Sequence, residues 1–243
     1  MGNKSILTIL FIYISVAGMG QVQNRFNGWL STINSVQLTK RIGFQFDFSL
    51  RSTDQWENIQ TIIVRPGISY RLNKTITASI GYSNNRNRIN IDEVSGYISE
   101  HQVWQQLFIR HRLFNRLNTL HRPLLEERFI SNAIVENNSI KTSGRSLALR
   151  LRYSFRNVLP FNNNEPFSRG AYAYTQQEIL LIIVNNAVIN GKTYDQFRSV
   201  TGLGFRFSPK WDLESGYLFR DLTTKTSAHF HDHIIQVSSF LRL

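Results

Sequence analysis

The chain has 243 residues, with 28 Lys and Arg against 16 Asp and Glu, a formal net charge of +12 and no cysteine. The missing cysteines exclude disulfide staples and a lipid-anchored cysteine, and five prolines with 14 glycines are too few for a collagen-like or disordered chain. So basic a balance raises nucleic-acid binding, but 21 of the basic residues are arginines strung along the chain instead of clustered, which argues for no nucleic-acid partner.

The chain opens with Lys4, an apolar run from Ile6 to Ala17, and small residues at Gly18 and Gly20. That is the pattern of a secretory signal peptide, and the run is shorter than the roughly 20 residues a spanning helix needs. Cleavage is expected after Gly20, so residues 1–20 read as signal and 21–243 as one domain. No later stretch is long enough for a membrane helix, and a membrane-spanning chain of this kind must close into a β-barrel.

Strand patterns follow from end to end. The first runs from Phe26 to Leu38. Phe44, Phe46, Phe48 and Leu50 then alternate with Gln45, Asp47, Ser49 and Arg51, and Ile62, Val64, Ile68 and Tyr70 alternate with Ile63, Arg65, Gly67 and Ser69. Ile76 to Ser83, Val103 to Leu113 and Arg122 to Phe129 continue the pattern, with Pro66 and Pro123 as ladder defects and a bulge expected near Pro123. The clearest case sets Leu147, Leu149, Leu151, Tyr153 and Phe155 against Ala148, Arg150, Arg152 and Ser154. Gln176 to Ile183, Phe197 to Phe207, Trp211 to Arg220 and Ile234 to Leu243 complete the series. Successive strand residues face opposite ways, so each strand has one apolar and one charged face.

Connections alternate between tight ones, such as 39–42, 72–74, 114–117 and 208–210, and long polar ones at 84–99, 131–145, 185–194 and 223–233. The connection 156–170 is long although it falls on the short side. Short turns on one rim and long loops on the other suit a transmembrane, antiparallel, up-and-down β-barrel of the bacterial outer membrane, all-β in class. The candidates number about eleven. Because single-chain bacterial barrels have even strand numbers, about 12 strands are expected, with 10 as the fallback.

The stretch Arg110, His111, Arg112, then His121, Arg122 and Glu126, Glu127, Arg128, Phe129, resembles the Bacteroidota outer-membrane barrel family catalogued as domain of unknown function 2490 (DUF2490). Further matching features are Gly28-Trp29, Arg65-Pro66-Gly67 running to Tyr70, Gly81-Tyr82, Glu178, Arg198 before Gly202-Leu203-Gly204, and Gly216-Tyr217. The resemblance covers about the whole chain after the signal. It implies an outer-membrane barrel and brings no established activity.

With apolar faces on outer-membrane lipid, the inward set is Arg51, Arg65, Arg110, Arg112, Arg122, Glu126, Arg128, Arg150, Arg152, Glu178, Arg198, Arg206, Glu214 and Arg220, with Asp47 and Asp212 beside them. Arg forks bind carboxylates in bidentate fashion. The lumen therefore reads either as plugged by Arg–carboxylate pairs or, because base exceeds acid, as a narrow pore preferring small anionic solutes. The competing class is an outer-membrane enzyme acting on lipid or peptide. No Gly-x-Ser-x-Gly elbow occurs, His111 is expected to face lipid, and Glu126 and Glu127 point to opposite faces. His229, His231 and His233 share a strand face and are weak metal candidates, with a solvated loop as the plainer reading. No cofactor is expected. Trp56 and Trp211 fit interfacial girdles, and Trp104 falls on the charged face.

Overall fold

The structure, a computed structural model, describes residues 22–114, 116–162, 166–225 and 229–243. The stretch read as a signal peptide lies outside these residues. Eleven strands run β1 (Val22–Gln37), β2 (Ile42–Thr53), β3 (Asn58–Arg71), β4 (Ile76–Ile91), β5 (Val94–Leu113), β6 (Leu117–Glu136), β7 (Ser139–Pro160), β8 (Gly170–Val184), β9 (Tyr194–Ser208), β10 (Trp211–Thr223) and β11 (His229–Arg242). Each pairs antiparallel with its sequence neighbours, and β1 pairs with β11 to close the barrel. No helix among the described residues is long and apolar enough to cross a membrane.

Among the described residues the count is 11, neither 12 nor 10. All eleven sequence candidates are strands, and the even-number rule was the error. An odd number makes the first and last strands run the same way, and β1 and β11 pair in parallel from Val22↔His229 to Ser35↔Arg242. Val22 and Leu243 consequently stand at opposite rims.

Three segments expected as long loops are strand instead. β4 and β5 stay paired to Ile91↔Val94, β6 and β7 pair to Glu136↔Ser139, and β11 begins at His229. The Asn-rich stretch is tight because Asn137 and Asn138 both take positive φ, 50° and 55°, the conformation a two-residue hairpin turn requires. Residues 185–193 keep a connection of their own, with a short 3-10 turn at Asn186–Val188. The bulge expected near Pro123 is absent; the register holds through Pro123↔Tyr153 and shifts at Ser131/Ala133.

Outward side chains are apolar and open: Phe26, Ile68, Ile80 and Leu203 are 55–62% exposed. Inward, the wall is shaped by glycines. Trp104 lies flat over Gly67 and Gly81, where added methyl groups would overlap its ring, and Tyr172 and Tyr174 lie over Gly204 and over Gly202 with Gly216. A wall without Cβ atoms is what lets large rings fit inside a narrow barrel. Trp29, Tyr172, Tyr174, Val200, Leu218 and Ile234 form a buried apolar cluster beside them.

Candidate functional site in the barrel lumen

Cross-strand register builds the charged lumen. Glu126 of β6 sits opposite Arg150 of β7, and Glu178 of β8 opposite Arg198 of β9. Glu126 accepts from Arg150 Nε at 2.5 Å and from Arg152 Nη1 at 2.8 Å. Glu178 accepts from Arg152 at 2.8 Å, Arg198 at 3.0 Å and Arg122 at 3.3 Å. Arg150 also reaches Asp195 at 3.0 Å. Arg152 thereby joins both glutamates, and the side chains of Glu126 and Glu178 are 1% and 4% exposed. So deeply buried, an ion pair is sensitive to loss of one partner, which strands the other charge.

Smaller clusters flank this lattice. Toward the taller hairpins, Arg128 grips both oxygens of Glu100 at 2.6 and 3.0 Å, and Asp232 pairs with Arg25 at 2.6 Å and with Arg220. Toward the short turns, Arg206 holds Asp212 at 2.9 Å through two bonds, Arg242 joins them at 2.6 Å, and Glu214 pairs with Arg156 and accepts from Tyr172.

Two of the expected inward arginines are held differently. Arg51 stacks on Trp29 with 4.0 Å to the ring centroid, and Arg65 on Trp104 at 4.4 Å. Such cation–π contacts steady the flat guanidinium and leave its N–H edge free. Arg110 and Arg112 stand apart from the lattice at the short-turn rim, both exposed, with Arg110 over Phe108 and Arg112 near Asn118.

Sequence reasoning missed Glu100, Asp195 and Asp232 as partners because Asp232 falls in a segment read as a loop and the other two lie between such a loop and the strand read after it. Extending the alternation from Gln102 back to Glu100 or from Ile234 back to Asp232 was the available signal, whereas Asp195 shares the parity of outward Phe197 and turns inward only through the register shift at Leu180/Leu181. Glu126 and Glu127 do point apart: Glu127 faces outward and accepts from Gln105 at 3.1 Å.

Among the described residues, two neighbouring spaces line the charged lumen. A vestibule of about 450 Å³ reaches the short-turn rim and is bordered by Arg110, Arg122, Arg156, Arg206 and Arg242 with Asp47, Asp212 and Glu214. Deeper lies a cavity of about 170 Å³ bordered by Arg51, Arg65, Arg122, Arg150, Arg152 and Arg198 with Asp47 and Glu126. Asp47 and Arg122 border both.

The histidines lie on the outer face. His111 stacks on His121, His121 bonds the Tyr153 hydroxyl at 2.6 Å, and Tyr82 bonds His101. His229, His231 and His233 share that face as expected, but His233 turns to Tyr217 and Phe26, while His231 turns to Asp221 at 3.4 Å. No group of metal-ligating side chains is present among the described residues.

A family model described as "Protein of unknown function (DUF2490)" matches residues 26–230, from the first strand into the last. The chain belongs to this family. No curated protein matches it. The DUF2490 resemblance rested on short motifs, and the fold gives several of them a physical role. Gly67, Gly81, Gly202, Gly204 and Gly216 are the wall positions that receive Trp104, Tyr172 and Tyr174, and Arg122, Glu126, Arg128, Glu178 and Arg198 are members of the ion-pair clusters.

Proposed function

We propose that this DUF2490 chain is an outer-membrane β-barrel whose lumen is closed at mid-height by its Arg–carboxylate lattice, with an anion-receiving vestibule on the short-turn side. One observation supports the closure: side chains from eight of the eleven strands border one cavity of only about 170 Å³, so charged groups from most of the wall crowd a single small space. The membrane setting is supported by the closed barrel, its open apolar outer face and the signal-like start.

The test is planar-bilayer conductance of the purified, refolded barrel. No stepwise conductance is expected at any voltage. Steady steps would overturn the closed reading and favour a narrow anion-preferring pore, for which the surplus of arginine speaks. In that event, replacing Arg150 and Arg152 by Ser should lower the anion preference.

A further inference from the structure

The charges around the deep cavity do not balance. Six guanidiniums border it: Arg51, Arg65, Arg122, Arg150, Arg152 and Arg198. The carboxylates that meet them are Glu126, Glu178 and Asp195 through ion pairs and Asp47, which borders the cavity and lies across the β2–β3 ladder from Arg65. Six against four leaves a surplus of two.

The surplus can be traced to Arg51 and Arg65. Their planes are held by Trp29 and Trp104, and their edges are unmatched: the buried Nε of Arg51 and the buried Nε and Nη2 of Arg65 have no hydrogen-bond partner among the described residues. A buried donor without a partner costs about 1–3 kcal/mol, and more when charged. Arg152 adds a third buried, unmatched Nε. Most of the arginines in this lumen take carboxylates; these two are fixed flat with their forks unused.

We propose that this chamber is a binding site for a small tetrahedral oxyanion, phosphate or sulfate, held chiefly by Arg51 and Arg65 with Arg152 completing the cradle. The site rests on the inward assignment of the charged faces and gives the vestibule's anion preference a terminus. Size restricts the ligand. About 170 Å³ is the space of roughly five to six waters at ~30 Å³ each, below the ~300 Å³ at which pockets for nucleotide-sized or drug-sized molecules begin. Geometry restricts it further, because planar forks match the paired oxygens of phosphate or carboxylate and are wasted on a spherical halide. Asp47 opposes any anion and favours one able to bring or share a proton, which phosphate can do and sulfate cannot.

The experiment is a titration of the intact, refolded barrel with sodium phosphate, followed by tryptophan fluorescence, since Trp29 and Trp104 are the platforms of the two arginines. Sulfate, acetate and chloride serve as parallel arms at matched ionic strength. Saturable change with phosphate or sulfate is expected, with acetate weaker and chloride flat. Arg51→Gln and Arg65→Gln should each weaken the response at least about tenfold, the loss of one charge-assisted bond. If either variant fails to fold, Arg51→Lys and Arg65→Lys replace them; these keep the charge and lose the fork, and a tenfold weakening is again expected.

An equal response to all four salts, or variants that titrate like the parent, overturns the site. Separate failures are distinguishable. A barrel that conducts in bilayers yet saturates with phosphate keeps the site and loses the closed lumen, whereas a silent barrel with no saturation keeps the closed lumen and loses the site.

Discussion

Glu178 accepts from Arg122, Arg152 and Arg198 at once, so its removal strands Arg122 and Arg198 and leaves Arg152 with Glu126 alone. Glu178→Gln should therefore cost on the order of 3–5 kcal/mol, the usual range for breaking a buried pair, and equilibrium unfolding of the refolded barrel in guanidinium would measure it. Glu136, whose pair with Lys141 is about half exposed on both sides, provides the contrast: Glu136→Gln should change stability by less than about 1 kcal/mol. A second residue-level test concerns the glycine wall. Gly81→Val drives a branched side chain into the Trp104 ring and the facing backbone, and a destabilisation of at least about 1–3 kcal/mol is expected from overpacking, with a change in tryptophan emission marking the displaced ring. The alternating arginines are legible in the sequence because a period of two needs no tertiary knowledge. Their partners are less so. Glu100 and Asp232 are reached only by carrying the alternation back past Gln102 and Ile234 into polar sequence, and the stacking of Arg51 on Trp29 depends on a register between two strands.

At the scale of elements, the hairpin of β6 and β7 is the longest and rises past β8. Its outer part, beyond the register shift at Ser131/Ala133, ends in the Asn137-Asn138 turn. Removing Ile134 and Val135 from one arm and Ile140 and Lys141 from the other deletes two facing pairs and preserves the inward parity of every remaining residue. Such a shortening should leave the barrel folded, with a stability change within about 1 kcal/mol. Deleting Ala148 alone has the opposite consequence, since a one-residue slip sends Arg150 and Arg152 to the apolar face unless the strand re-registers. Folding yield, read as protease resistance after refolding, should fall sharply for that single deletion and hold for the four-residue one. The tall hairpins also explain why polar, Asn-rich segments looked like loops: above the apolar belt both faces of a strand meet water, and the alternation that reveals strands fades while the hydrogen-bond ladder continues.

For the whole molecule, the odd strand count is the feature with the widest reach. Neither parity nor the closing pair is written in any one strand. The candidates numbered eleven in the sequence, and a rule drawn from other barrels displaced the right number. The parallel β1–β11 seam sets Val22 beside His229 at the taller rim, away from Leu243. Charge follows the same polarity. Every turn of the short rim carries a basic residue, namely Lys40 with Arg41, Lys74, Arg116, Arg169 and Lys210, while the other end mixes Glu57, Asp92, Glu93 and Glu136 with Lys141, Lys192 and Lys225.

With short turns toward the periplasm, as in outer-membrane barrels generally, the start of β1 should face the cell exterior and the basic rim the interior, where it would draw anions into the vestibule. The chain has no cysteine, so single cysteines report without background. A membrane-impermeant maleimide on intact cells should label Gln23→Cys and Ser139→Cys, and reach Lys74→Cys only after the outer membrane is opened. Labelling of Lys74→Cys alone would invert the orientation. Labelling of Gln23→Cys together with Lys74→Cys, but not Ser139→Cys, would break the parallel seam, because only an even-stranded barrel returns the start of β1 to the short-turn rim.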